Sequence, residues 1–420
     1  MPPGESTVSR TSGRNPPGAI VVGAHVNGLG IVRSLGRRGI PVAVISTRPF
    51  DVAHHSRWAG ERHALPALHG HHESLVDLLE RNAARWRGWA VFPSNDDALT
   101  ALACHHERLS RSYRLPLGPW EEMGPLVDKD RMHGLAVACG LDVPSCYGNA
   151  TPATAARGDL RFPLVVKPVQ HDRLISRFGT KLFVARQPRE LLAACERLAE
   201  VSVPGLVYEL VPGPDDHIYV DCVYLDARGE PVAGVTVRKL RQSPPGVGGA
   251  RVAEVVPDDK ELRDATVALL RRAGFRGMAF AEYKRDARSG RFRFIEVNAR
   301  AVLFNGLLPP TGVDLVHLAW RDFVLGEDLR VQRRDWAGVW IHLQADLLGS
   351  LFYRHAETLS LAAFLAPYRR PKTFAVWSAS DPRPFAVQTA RLAGDARAAL
   401  LDRARRTALR RRLSGAMRPL

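Results

Sequence analysis

Residues 292–300 read FRFIEVNAR, and residues 279–284 just upstream read AFAEYK. The first run has the texture of a strand that ends in a carboxylate, Glu296, with an amide, Asn298, two positions on. Period-two alternation puts both side chains on one face. A second carboxylate, Glu282, lies on the preceding strand, across a turn at 286–290. Three hard oxygen donors on paired strands suit Mg²⁺, which binds through one or two carboxylates and the phosphates of a nucleotide. Arg300, one alternation beyond Asn298, adds a fixed cation for phosphate oxygens.

Lysine is scarce in this chain. Seven positions carry it (129, 167, 181, 239, 260, 284 and 372), against 59 basic residues in all. A lysine that persists in an arginine-biased sequence points to a specific role. Lys167 sits inside VVKP, where an apolar strand would exclude a charge without a function. Lys129 and Lys167 are therefore candidates to hold phosphates. Lys181 follows Gly179 and Thr180, and the intervening QHDRLISRFGT is expected as a loop folding over them. LVYELVPG (206–213) is a strand running into a Pro-Gly turn. Glu209, Leu210 and Val211 would give adenine its apolar slot and polar edge, with Asp215 or Asp216 meeting the ribose. VRKLRQSPPGVGG (237–249) gathers Arg238, Lys239 and Arg241 before a Gly/Pro loop, read either as a carboxylate-binding lid or as a solvated hairpin.

The elements that must position these groups are of two kinds. Residues 19–24 and 41–46 are strands flanking a helix, 30–38. A helix over 73–85, a strand over 89–92 and a helix from Ala98 follow. This is a parallel α/β domain. The first βα turn, GAHVNGLG (23–30), lacks the G-x-G-x-x-G spacing, and no acid closes the second strand, so it reads as a structural turn or a substrate-facing loop. A helix within 127–140 leads to a Pro-limited link. From 162 short strands dominate (164–167, 181–185, 206–209, 217–225, 231–238), with helices over 188–199 and 258–273, an α+β texture. From about Trp336 a separate mixed segment runs to a basic end, RARRTALRRR (403–412).

A chain of 420 residues exceeds one usual core, so two or three domains are expected. The net charge of +16 is spread along the sequence, and the basic end reads as a solvated amphipathic helix rather than a nucleic-acid patch. Five scattered cysteines without a C-x-x-C pair fit a reduced, cytoplasmic setting. No apolar stretch is long enough to cross a bilayer. The polar, Pro/Gly-rich residues 1–18 read as a disordered tail without a secretory signal. The histidine clusters at 54–55, 69–72 and 105–106 lack zinc-site spacing.

Taken in order, VDKDRMHGLAVACGLDVPS, FPLVVKP, GTKLFVA, YELVPGPD, KLRQSPPGVGG, GFRGMAFAEYKRD, FIEVNAR and GVDLVHLAW resemble the ATP-grasp superfamily. They look most like its carboxylate–amine ligases, including the D-aspartate-ligase-like branch. The resemblance covers about 19–330, and its specific part is the E-x-N-x-R strand with the upstream acid. It implies an α/β plus α+β chain: a pre-ATP-grasp parallel domain (19–127), a two-lobed ATP-grasp module (128–330) and a C-terminal extension (331–420). It also implies that Lys129, Lys167 and Lys181 contact phosphates, that Glu209 and Val211 hold adenine beside Leu210, and that Asp216 serves the nucleotide. Glu282, Glu296 and Asn298 would bind two Mg²⁺, with Mn²⁺ as a substitute, and Arg300 would steady the transferring phosphate. The implied chemistry is ATP-driven formation of an acyl-phosphate, captured by an amine to give an amide, ADP and phosphate. Positioning and charge neutralisation would do the catalysis, with Arg300, Arg241 and Lys167 as the catalytic set. The partners are small-molecule carboxylates and amines, and a homodimer is compatible with the reading. The loop between Lys167 and Lys181 departs from the family, carrying Arg173 and Arg177 and one glycine, Gly179. Asn27, Asp96, Arg241 and Asn305 are the candidates for the substrate pocket. Two rival readings are an ATP-grasp enzyme with a thiol or hydroxyl acceptor or with phosphorylation alone, and a basic non-enzyme bound to nucleic acid or membrane.

Overall fold

The computed structural model describes residues 17–48, 51–169, 172–352, 359–395 and 397. The expected tail over 1–16 and the basic run at 403–412 lie outside them.

Four strands, β1 (Ala19–Val22), β2 (Val42–Ser46), β3 (Glu61–Ala64) and β4 (Ala90–Pro93), form a parallel sheet in the order β3-β2-β1-β4. β1, β2 and β4 are continuous buried runs, as a parallel sheet covered on both faces requires. β3, sequence ERHA, has no strand signal in the sequence. It is an edge with alternating exposure, which leaves room for its charges. The helix Val26–Gly36 connects β1 to β2. It begins earlier than expected, because His25 caps it through Nδ1, which accepts from the Asn27 amide at 3.2 Å.

A small lobe follows. Its strands β5 (Cys146–Asn149), β6 (Leu164–Pro168), β7 (Phe183–Ala185) and β8 (Gly205–Glu209) form an antiparallel sheet ordered β5-β8-β6-β7. The helix Pro188–Glu200 packs Leu191, Cys195 and Leu198 against Leu164, Val166 and Val207. The stretch after β6, expected as a loop, contains a helix, Asp172–Phe178.

The large lobe is a seven-stranded sheet. It comprises β9 (Ile218–Leu225), β10 (Pro231–Ser243), β11 (Gly249–Val256), β12 (Gly277–Arg285), β13 (Phe292–Asn298), β14 (Val339–Ile341) and β15 (Lys372–Phe374). Their order is β13-β12-β9-β10-β11-β14-β15. The helix Lys260–Arg272 covers one face through Leu262, Leu269 and Leu270, beside Val223, Leu225 and Tyr283. The opposite face carries Val220, Cys222, Val237 and Phe280 and shares one apolar core with Leu29, Ile31 and Val32 of the N-terminal helix. β10 runs to Ser243, so VRKLRQ is strand and the Gly/Pro residues after it turn into β11 as a hairpin. Much of this hairpin is buried, not a solvated arm. The segment from Trp336 supplies β14 and β15 to the same sheet instead of standing apart. Among the described residues no helix is long and apolar enough to cross a membrane.

Candidate functional site

The paired acids sit where the strands place them. Glu282 on β12 lies directly opposite Glu296 on β13. Directly opposed residues share a face of the sheet, so the two carboxylates point the same way. A register shift beside this pair leaves Ile295 unmatched. Such a bulge turns a strand locally, and bulges are common beside functional sites. The Asn298 amide nitrogen stands 3.5 Å from Glu296 Oε1.

Lysines surround these acids. Lys239 Nζ on β10 donates to Glu282 Oε2 at 2.5 Å. Both groups are largely buried, with 8% and 14% of their side chains exposed. Burial pushes the Glu296 carboxyl up, but Lys167, Lys239 and Lys129 together more than reverse this and hold it below the usual carboxylate range. Lys129 opens the helix Lys129–Ala138, behind Asp128 as N-cap, and donates to the Pro168 carbonyl at 2.7 Å. Burial, with Lys167 adding to it, pulls the Lys129 ammonium below its ordinary value against the pull of Glu296 and Asp96. Lys167 stands near the end of β6, its Nζ 5.6 Å from the Tyr208 ring centre. Lys181 is exposed in the turn before β7. Two lobes and an N-terminal element thus bring cations around a pair of carboxylates.

The N-terminal domain closes one side. Arg300 forms a two-point ion pair with Asp96, Nε to Oδ1 at 2.7 Å and a terminal nitrogen to Oδ2 at 2.9 Å. His25 lies beside it, with Nε2 3.3 Å from Ser94 Oγ. Burial first, then Arg300 and Arg48, lower the His25 pKa to about 4, so the ring is neutral near neutral pH. Its Nδ1 accepts from the Asn27 amide, which leaves the proton on Nε2. The side-chain amide of Asn27 donates to the carbonyls of Ser94 (3.0 Å) and Ala301 (3.3 Å). Asn305 donates to the Asn27 carbonyl at 3.2 Å.

Other expected residues are placed differently. Arg241 is not beside the acids. Register shifts around Leu240 break its alternation with Lys239. Its guanidinium instead pairs with buried Asp346 at 2.9 Å and donates to the Phe364 carbonyl at 3.1 Å. Glu209, at the end of β8, is held by Arg288 at 2.5 Å and Arg293 at 3.2 Å. Leu210 is half-buried and Val211 buried in the link that follows. Asp215 accepts from the Gln242 amide, its side chain and the Gly246 amide, so it anchors the β10–β11 hairpin. Asp216 beside it is exposed. Of the two acids considered for a ribose, Asp216 is the one whose surroundings leave it open. The pairing of Lys239 with Glu282 is not anticipated by the sequence reading, nor is buried Lys284, although the scarcity of lysine that singles out Lys167 flags both.

The donor set of Glu282, Glu296 and Asn298 fits Mg²⁺. It offers hard oxygens, two of them from carboxylates on directly opposed residues of neighbouring strands, with lysines that neutralise these acids. Among the described residues no three His, Cys, Asp or Glu side chains cluster as a site for a metal ion.

A family model, the ATP-binding domain of the carbamoyl-phosphate synthase L chain, matches residues 255–331, the segment that carries β12 and β13. A biotin carboxylase from Campylobacter jejuni has a similar structure (TM-score 0.59, 14% identity, 76% of this chain and 74% of that one). So does an L-amino acid ligase from Bacillus licheniformis (0.56, 19%, 74% and 75%). An N5-carboxyaminoimidazole ribonucleotide synthetase from Thermus thermophilus is similar too (0.56, 14%, 76% and 82%). The fold is of the ATP-grasp type. No curated protein matches the sequence. That fold accounts for the small antiparallel sheet and for the larger, mostly antiparallel one.

Proposed function

We propose that this chain is an ATP- and Mg²⁺-dependent ligase that activates a carboxylate as an acyl-phosphate and joins it to an amine. One observation carries the reading: Lys129, Lys167 and Lys239 converge electrostatically on Glu296, whose partner across the strands is Glu282. A cluster of cations about two acids is arranged for a polyphosphate with a divalent ion.

Lys129 and Lys167 hold phosphate oxygens, with Lys181 approaching from the turn before β7. Glu282, Glu296 and Asn298 hold Mg²⁺, which neutralises charge on the phosphates when bound. Lys239 orients Glu282. Leu210 and Val211 line the adenine slot, Glu209 bounds it, and Asp216 meets the ribose. Arg300 faces the transferring phosphoryl group, and the wall formed by His25 and Ser94 borders the substrates. The L-amino acid ligase among the structural neighbours supports an amino acid or peptide as one partner. The cytoplasm is the proposed compartment.

The test is ADP release from Mg-ATP against a panel of amino acids and dipeptides, with Glu296→Gln beside the wild type. Turnover that needs both a carboxylate and an amine, and that vanishes in the variant, is the expected result. ADP release that proceeds unchanged without any amine would overturn the amine-ligase reading. No nucleotide binding would overturn the site.

A further inference from the structure

Arg300 is the cation expected to face the transferring phosphate, yet its guanidinium is held mainly from outside its own segment, which follows β13. The restraint comes from the N-terminal domain. Asp96 meets Arg300 at two points, 2.7 and 2.9 Å, and the remaining nitrogen donates to the Ala301 carbonyl at 3.3 Å. Two parallel N–H···O bonds fix the plane of a guanidinium as well as its position.

The two segments that carry this pair are also tied together. Asn27, 7% exposed, donates from one amide nitrogen to the Ser94 and Ala301 carbonyls. Ser94 lies two residues before Asp96, and Ala301 directly follows Arg300. Asn95 caps the helix Asp96–Cys104 by accepting from the Ala98 amide at 2.8 Å, so Asp96 stands on a fixed first turn. The Arg300 side chain is 13% exposed and that of Asp96 61%. The acid therefore approaches from the open side, and the cation is seated inside.

Charge gives the pairing a second effect. Two acids, Asp96 and Glu296, act on the Arg300 guanidinium, and Lys129, Lys167 and Lys239 act in turn on Glu296. Without an acid at 96, the attraction of Glu296 would draw the guanidinium off its present line.

We propose that Asp96 is a positioning residue, acting through Arg300, by which the N-terminal domain sets the subsite for the transferring phosphoryl group. This rests on the function proposed above. Its reach beyond that reading is that the pre-formed geometry of Arg300 is not a property of the two grasping lobes alone.

The experiment compares binding of MgADP with binding of MgADP–aluminium fluoride, a mimic of the transferring phosphate, by calorimetry on the full chain. The variants are Asp96→Asn, which keeps shape and loses charge, and Asp96→Glu, which keeps charge and adds one methylene. Asp96→Asn is expected to bind MgADP as the wild type does and to bind the fluoride complex roughly tenfold or more weakly, with partial recovery in Asp96→Glu. Equal affinity of Asp96→Asn and wild type for the fluoride complex would overturn the proposal. So would an equal loss for both ligands with a lowered melting temperature, which marks a purely structural role. Phenylglyoxal labelling, read at Arg300 by peptide mass spectrometry, needs no nucleotide. It should be faster in Asp96→Asn, and an unchanged rate counts against the clamp even if the wild type binds no MgADP. Absence of wild-type MgADP binding is the separate failure of the proposed function.

Discussion

Glu296 shows how one side chain can be made acidic by its neighbours. Burial opposes its charge, and three lysines from three different elements outweigh burial. The expected consequence of Glu296→Gln is loss of ADP release by about 100-fold or more, with the fold kept, because charge stabilisation at a dry site is a large term. Steady-state kinetics with a circular dichroism control would check it. Lys239→Ala leaves Glu282 without its 2.5 Å partner. Its expected effect is a drop in turnover of about tenfold, with a raised requirement for Mg²⁺. A Mg²⁺ titration of activity in the variant measures this, and an unshifted titration would show that Lys239 does not orient the acid for the metal. Glu282, Glu296, Asn298 and the scarce lysines were legible as residue types and spacings. The Asp96–Arg300 pair was not, since 204 positions separate its members.

At the scale of elements, single-residue irregularities decide where side chains go. The unmatched Ile295 on β13 and the shift at Leu240 on β10 both interrupt a two-residue alternation. The second sends Arg241 to Asp346, away from Lys239, which is why alternation alone misplaces it. The glycine-rich first turn has a packing cause. A Cβ on Gly28 would stand 2.1 Å from the Gly23 carbonyl oxygen, and one on Gly30 would stand 1.8 Å from Asn305 Oδ1. Gly30→Ala is therefore expected to destabilise by about 1–3 kcal/mol despite the better helix propensity of alanine. In an Asn305→Ala background the penalty should shrink, and a denaturant double-mutant cycle reads the coupling. Additive effects would show that the contact carries no strain.

Across the whole molecule, the described C-terminal segment is fastened to the N-terminal domain. Asp381, 1% exposed, accepts from Arg33 at 3.1 Å, Ser56 at 2.8 Å and the Arg57 amide at 2.9 Å. Arg33 also donates to the Val376 and Asp381 carbonyls. Asp381→Ala strands a buried cation, and the expected loss is about 3 kcal/mol in urea unfolding. Acid should weaken the fold as well. Burial lowers the pKa of His25 and His342 from 6.5 to about 4. Both are neutral in the fold at pH values where the unfolded chain would bind protons. Their contribution is therefore complete above pH 6.5 and is lost as the pH falls to about 4. Melting temperatures between those limits should decline, and His342→Gln should flatten the decline if the variant stays folded. An equally steep decline there would refute the role of His342.

The sequence by itself determined the elements whose cause is local. Buried apolar runs made β1, β2 and β4, caps began the helices at Asp96 and Lys129, and two-residue alternation on paired strands put Glu282 beside Glu296 and Asn298. Tertiary structure alone decided what depends on distant partners. It gave the polar edge strand β3 and the short strands β14 and β15 their places, and it sent Arg241 to Asp346. It also brought Asp96 to Arg300 and Lys239 to Glu282. A hydrogen-bonded neighbour can define an edge strand and a buried counter-ion can redirect a long cation, and neither leaves a period in the chain that receives it.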